Sequence, residues 1–127
     1  MKRAIAFGIA FIAALLLGSA VDAAGNGKLD GKTFQGAMVE DGTDKLVHDT
    51  LSFDKGMFHS SACDSFGFGK ASYTIKPDGS FEATTLSEKE GTMQWRGMVS
   101  GNLISGEVLW LKPGKEPVSY TIRGTLR

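Results

Sequence analysis

Thr92-Met93-Gln94-Trp95-Arg96-Gly97-Met98-Val99-Ser100-Gly101-Asn102-Leu103-Ile104-Ser105-Gly106-Glu107-Val108-Leu109-Trp110-Leu111 is the stretch from which the fold is read. It holds two runs of alternating character joined by Gly101-Asn102, a two-residue connection suited to a tight β-hairpin because glycine and asparagine accept positive φ. That loop length sets the register. Val99 then lies opposite Ile104, Gly97 opposite Gly106, Trp95 opposite Val108 and Met93 opposite Trp110, so one face is apolar. The alternate positions bring Arg96 opposite Glu107, an opposite-charge cross-strand pair on the outer face. Turn length and side-chain alternation agree, and a one-residue slip would turn the whole apolar set outward.

Working outward, the same pattern recurs along the chain. Strands are expected over Thr33 to Val39, Asp49 to Asp54, Met57 to Ser61, Lys70 to Lys76, Ser80 to Ser87, Thr92 to Ser100, Leu103 to Leu111 and Val118 to Leu126. Turn chemistry separates them at Lys55-Gly56, Pro77-Asp78-Gly79, Glu88 to Gly91, Gly101-Asn102 and Lys112 to Pro117. The Lys55-Gly56 loop pairs Phe53 with Phe58. The Pro77-Asp78-Gly79 loop pairs Ile75 with Phe81 and Tyr73 with Ala83. This regular spacing predicts an all-β fold, an eight-stranded antiparallel up-and-down barrel whose last strand closes against both its predecessor and the first. Parity gives the inward bulky set as Phe34, Met38, Leu51, Phe53, Phe58, Tyr73, Ile75, Phe81, Trp95, Val99, Ile104, Val108, Trp110, Tyr120, Ile122 and Leu126. An eight-stranded barrel has room for side chains or one small ligand, and this set fills most of it.

Upstream of the strands, Lys2 and Arg3 precede an apolar run from Ala4 to Leu17 and then small residues, the order of a secretory signal peptide. The run is shorter than the roughly 20 residues of a membrane-spanning helix. Cleavage is expected after Ala23, with Ala20 and Ala24 as rival sites. The organisation is thus a signal peptide over 1–23, a flexible segment over 24–32 and a single barrel domain over 33–127, in a periplasmic or secreted bacterial protein. The cleaved leader takes Lys2, Arg3 and Asp22 with it. That leaves 12 of the 14 basic and 13 of the 14 acidic residues, a net charge of −1. Nucleic acid is excluded as a partner on this balance, since phosphate neutralisation needs a basic excess or stripe. Cys63 is the one cysteine, so no internal disulfide forms and stability rests on the core.

The inward parity also collects glycines at Gly36, Gly97, Gly106 and Gly124. Gly97 faces Gly106; a pairing of Trp110 with Tyr120 would set Gly106 beside Gly124, and closure of Phe34 on Leu126 would set Gly124 beside Gly36. Such glycines either bend the sheet so that it closes or leave a notch beside Trp95 and Trp110 that admits a ligand. Ser65-Phe66-Gly67-Phe68-Gly69-Lys70 lacks the order of a phosphate loop. Phe66 and Phe68 instead read as a plug over the barrel mouth, or as a mobile aromatic gate. His59, Ser60, Ser61, Cys63 and Asp64 crowd one segment, and with His48 and Asp49 they offer possible ligands or a Cys-His pair. His59 has outward parity and paired Cys/His spacings are lacking, so no catalytic residue, metal ligand or cofactor is assigned and no enzyme activity is expected.

The Gly31-Lys32-Thr33-Phe34 opening and the Trp95-Arg96-Gly97 segment, within an eight-strand meander, resemble small exported bacterial barrels of the calycin type, the architecture of lipocalins and avidins. Lipocalins open on Gly-x-Trp, where this chain has Phe34 one position later, and the polar and tryptophan constellation of avidins does not map here. The resemblance therefore implies a fold and a binding role without a ligand's identity. The expected function is binding of a small apolar or amphipathic ligand by Trp95, Gly97, Gly106, Trp110, Tyr120, Phe66 and Phe68; the alternative is a protein-binding module such as an inhibitor of an envelope or foreign enzyme. Outward Met98, Leu109 and Leu111 are scattered apolar residues, in keeping with a monomer or weak dimer.

Overall fold

A computed structural model describes residues 28–127; the expected leader and its cleavage sites lie outside the described residues. Eight strands follow in order: β1 (Thr33–Glu40), β2 (Leu46–Asp54), β3 (Met57–Ser60), β4 (Ala71–Ile75), β5 (Phe81–Ser87), β6 (Gly91–Ser100), β7 (Leu103–Leu111) and β8 (Val118–Leu126). Each pairs antiparallel with the next, and β1 also pairs with β8 through Phe34↔Leu126 and Gly36↔Gly124, so the sheet closes into a barrel. Closure leaves no unpaired edge along the seam. The described residues contain no helix long and apolar enough to cross a membrane.

The hairpin registers follow from the turns. Val99↔Ile104, Gly97↔Gly106, Trp95↔Val108 and Arg96↔Glu107 pair across β6 and β7, Phe53↔Phe58 across β2 and β3, and Tyr73↔Ala83 and Ile75↔Phe81 across β4 and β5. The long β7–β8 connection departs from expectation. Trp110 pairs with Val118, and Tyr120 with Val108. A six-residue loop does not fix height along the strand as a two-residue turn does, but the offset is two residues, so parity and face are preserved. The expected row of four glycines is therefore corrected to two separate pairs: Gly106 faces Ile122, and Gly124 faces Ile104.

Strand boundaries also change: β1 runs on to Glu40, β4 lacks Lys70 and Lys76, β5 begins at Phe81 and β6 at Gly91. β2 begins at Leu46 rather than Asp49, which adds three residues at its start. Met57 to Ser61 shortens by one, and Ser61–Phe66 forms a 3₁₀ helix where loop was expected. Six residues carry too little periodicity to announce such a helix. It ends in a left-handed Gly67 at φ 87°, whose N–H donates to the Asp64 carbonyl at 2.9 Å while that of Phe68 donates to Cys63 at 3.3 Å.

The β2–β3, β4–β5 and β6–β7 turns gather with the first and last described residues at one end of the barrel, here the terminal end, and the other four connections gather at the opposite end, the loop end. From the terminal end inward the core is a chain of rings. Phe53 meets Phe34, Phe58, Tyr73 and Phe81 at centroid distances of 6.2, 5.3, 5.0 and 5.1 Å, and Phe58 continues to Trp95 at 4.8 Å. Edge-to-face contacts of this kind add to the burial of large apolar surface. Trp95 sits at mid-barrel, its indole N–H donating to the Thr85 hydroxyl at 3.0 Å.

The first described residues shut the terminal end. Leu29, buried, donates its N–H to the Tyr73 hydroxyl at 3.0 Å, and that hydroxyl donates to Asp30 Oδ1 at 2.7 Å. Asp30 also accepts the Gly56 N–H, and the Gly31 N–H donates to the Phe53 carbonyl at 2.7 Å. Residues 28–32, within the segment expected to be flexible, thus form a turn bonded to two hairpins. Burial and the hydrogen bond to Asp30 raise the Tyr73 hydroxyl well above the usual phenol range, against the lowering effect of the Leu29 N–H.

Candidate functional site

Four of the seven expected site residues meet at the loop end. Trp110, near the top of β7, is the centre: Phe66 and Phe68 approach its ring edge-on at centroid distances of 5.4 and 5.8 Å, and Tyr120 lies tilted against it at 6.5 Å. The Lys112 ammonium stands 4.0 Å over the same ring, a cation–π contact, and the indole N–H donates to the Glu90 carbonyl at 2.7 Å. Lys112 and the Glu90 carbonyl carry no signal in the sequence, because nothing in a six-residue loop says where its cation will turn.

The two phenylalanines of the 3₁₀ segment do different things. Phe68 is 3% exposed and closes the mouth, as the plug reading expected; Phe66 is 47% exposed and stands outside it. The backbone explains this: Phe66 ends the 3₁₀ helix, and the left-handed Gly67 at φ 87° turns the chain before Phe68. Phe66 is nevertheless held. Its carbonyl accepts the Ser87 hydroxyl at 2.7 Å, and the Ser87 hydroxyl oxygen in turn accepts the Glu90 N–H at 3.2 Å, which ties the helix end to the β5–β6 turn. Val47, half exposed on inward parity, and Leu46 complete an apolar rim with Phe66 at this end.

Trp95, Gly97 and Gly106 are not part of this cluster. Trp95 is 2% exposed within the ring stack. The glycines mark places where backbones come too close for a side chain. A Cβ on Gly106 would run into the Arg96 carbonyl and lie 2.7 Å from the Gly97 Cα; one on Gly97 would lie 2.5 Å from the Ser105 carbonyl and 2.8 Å from the Phe81 ring. The Gly97/Gly106 pair is a closure kink with no free space beside it. Gly36 is similar, since a Cβ there would overlap the Arg123 carbonyl across the β1–β8 seam.

Below Phe68 the lumen changes from hydrocarbon to sulfur and oxygen. Asp49 is 5% exposed and points inward, level with the start of the helix. Its carboxylate accepts the Ser60 hydroxyl at 2.6 Å and the Ala62 N–H at 3.0 Å, which supplies the helix's first turn with an acceptor. Ser60 also lies 3.3 Å from Cys63 Sγ, itself 3.5 Å from Met93 Sδ. Burial raises the Asp49 carboxyl above its ordinary value against the lowering effect of these donors. Burial likewise pushes the Cys63 thiol up to about 11, with Asp49 and Asp64 adding to the shift. A thiol held protonated is a poor nucleophile.

His59 does not serve this cluster. It faces out and pairs with Asp64 at 2.7 Å, whereas Cys63 faces in, so the helix separates the two members of the considered Cys-His pair. Among the described residues no three His, Cys, Asp or Glu side chains converge as metal ligands. Asp49 as a buried carboxylate was missed as a structural element. Its signal was present, because it shares parity with Leu51 and Phe53.

The class these features define is a small, closed, eight-stranded up-and-down β-barrel, compatible with calycin-like architecture. No family model matches the chain, and no curated protein or solved structure matches it either.

Proposed function

We propose that this barrel is an exported, calycin-like binding module that takes a protein partner at its loop end, with Phe66 as the anchor. The observation that carries this reading is the pairing of exposure with restraint at Phe66: a large aromatic side chain half in solvent on a segment fixed by Gly67, Ser87 and Trp110. Anchors of protein interfaces are commonly aromatic and cost less entropy when already ordered. The packed ring stack supports the same reading, since it leaves the terminal half of the lumen without space for a guest. A photo-crosslinking residue placed at Phe66 or Val47 should capture one defined protein in the native compartment, and the same residue at Leu103, exposed near the opposite end, should not. Equal capture from both ends, or none from the rim, would overturn the proposal.

A small apolar or amphipathic ligand is the second reading, favoured by one observation. Phe68, the plug, lies between Gly67 and Gly69, and a Cβ on Gly69 would meet nothing within 4 Å. A plug between glycines can swing out at low steric cost. A guest would then sit among Phe68, Trp110, Tyr120 and Met93. Native mass spectrometry separates the readings, since a retained small molecule adds hundreds of daltons and a protein partner adds thousands.

A further inference from the structure

The outer wall carries a second feature, independent of the loop end. It has two arginines in comparable places, Arg96 on β6 and Arg123 on β8, both with outward parity. Arg96 has carboxylates as its register neighbours, Glu82 on one side and Glu107 on the other, although among the described residues it forms no ion pair within 4 Å and Glu82 lies 3.9 Å from Lys76 instead. Arg123 has no carboxylate directly opposite it. Its register neighbours are Ser105 and Ala37, and among the described residues its side chain makes no ion pair or hydrogen bond. The nearest carboxylate by register is Glu107, diagonal to it through Thr121, and it is already opposite Arg96.

Arg123 forms one wall of a groove of about 570 Å³ whose other lining residues include Gln35, Gly36, Ala37, His48, Thr50 and Ser61. The shape follows from residue size. Ala37 pairs with Arg123 on one side and with His48 on the other, so a small side chain on β1 lies between two long ones on β8 and β2. Two strand spacings separate their backbones, roughly 9–10 Å, and both side chains are exposed and free to converge over Ala37. Asp49, which also borders the groove, is 5% exposed, and its carboxylate accepts from Ser60, from Ala62 and, at 3.4 Å, from the Ser61 hydroxyl. The groove thus presents a guanidinium, an imidazole, an amide and hydroxyls, with its one carboxylate buried beneath it.

We propose that this groove is a binding site for a tetrahedral oxyanion, a phosphate group, clasped between Arg123 and His48 over Ala37, with Gln35 and Thr50 as neutral donors. A guanidinium presents paired N–H donors that match phosphate oxygens two at a time. The imidazole on the opposite wall supplies a donor from the other side, and the small floor lets the anion approach the sheet.

The test is a titration of the full chain with inorganic phosphate at fixed pH and ionic strength, read on arginine Nε–H and histidine ring signals by NMR. The Arg123 and His48 signals should move along a saturating curve while Arg96 stays in place. Arg123→Gln should weaken binding at least about tenfold, the loss of a charge-assisted contact. Ala37→Val, which raises the floor and keeps both side-chain walls, should weaken it as well. Glycerol 3-phosphate distinguishes the source: binding at least as tight as inorganic phosphate assigns the site to a phosphomonoester, and weaker binding assigns it to the free anion. Shifts that fail to saturate, that Arg96 shares, or that persist unchanged in Arg123→Gln would overturn the proposal.

Discussion

The two ends of the barrel are closed by different means. At the terminal end the backbone itself makes the seal: the turn at Leu29 and Asp30 is bonded to Tyr73, Phe53 and Gly56, and the rings of Phe34, Phe53 and Phe81 pack directly behind it. At the loop end one side chain, Phe68, makes the seal from a segment between two glycines, and behind it lie a thiol, a thioether, a hydroxyl and a carboxylate. The first arrangement builds stability. The second gives up some of it, because polar groups are costly to bury even when bonded, and in return holds an exposed aromatic in a fixed place. Such division is expected where loops carry binding on a rigid scaffold.

The largest expected effect falls on the terminal half. Phe53→Ala removes contacts with four rings at once and should cost about 3–5 kcal/mol by denaturant unfolding. Phe68→Ala at the loop end should cost less, about 1–2 kcal/mol, because its space opens to solvent and the loop can settle into it. Equal losses at the two sites would erase the distinction between the ends. Gly106→Val tests the wall between them. With a carbonyl where its side chain would go, it should cost on the order of 1–3 kcal/mol or more by overpacking, with no candidate ligand raising the melting temperature of the unmutated protein through that position.

Asp49 sharpens the comparison through pH. Its carboxyl titrates higher in the folded protein than the ordinary value of 3.8, so the native state holds this proton more tightly than the unfolded chain does. Its contribution to stability is therefore greatest below about pH 3.8 and declines as pH rises through the folded value. Asp49→Asn removes the cost of the buried charge. The melting temperature of the variant relative to the parent should rise between pH 4 and pH 7, and a difference that stayed flat or fell over that range would contradict the assignment. The smallest effect concerns Cys63. A buried thiol raised to about 11 should resist a thiol reagent at pH 8 in the native protein and react fully on unfolding.

Much of this was legible because a strand has a period of two. Parity placed Phe34, Phe53, Trp95 and Ile122 inside correctly without knowledge of strand height, and two-residue turns supplied height where they occurred, as at Gly101-Asn102. Where the connection was longer, height was lost: Tyr120 came out opposite Val108 instead of Trp110. Asp49 opens the expected strand, whereas the extra residues Leu46 to His48 place it below the strand's start, inside the barrel. The rim itself was half legible. Alternation of Phe66 and Phe68 indicated a plug, but only the 3₁₀ helix, which has no sequence period to detect, decides which of the two faces out. The Arg123 groove was invisible, since its signal is that Ser105 and Ala37, not carboxylates, lie directly opposite Arg123, and that requires the closing register.

The most direct test of the loop end as the binding end is native mass spectrometry of the full chain, produced in its own host and recovered from the compartment to which it is sent, alongside a Phe66→Ser variant. Phe66 is half exposed and meets the Trp110 ring edge-on, so the variant should still fold, at a cost of about 0.5–1.5 kcal/mol. The parent should carry a protein partner that the variant lacks. A partner retained equally by both, or a small molecule retained by both with no protein bound, would contradict the account.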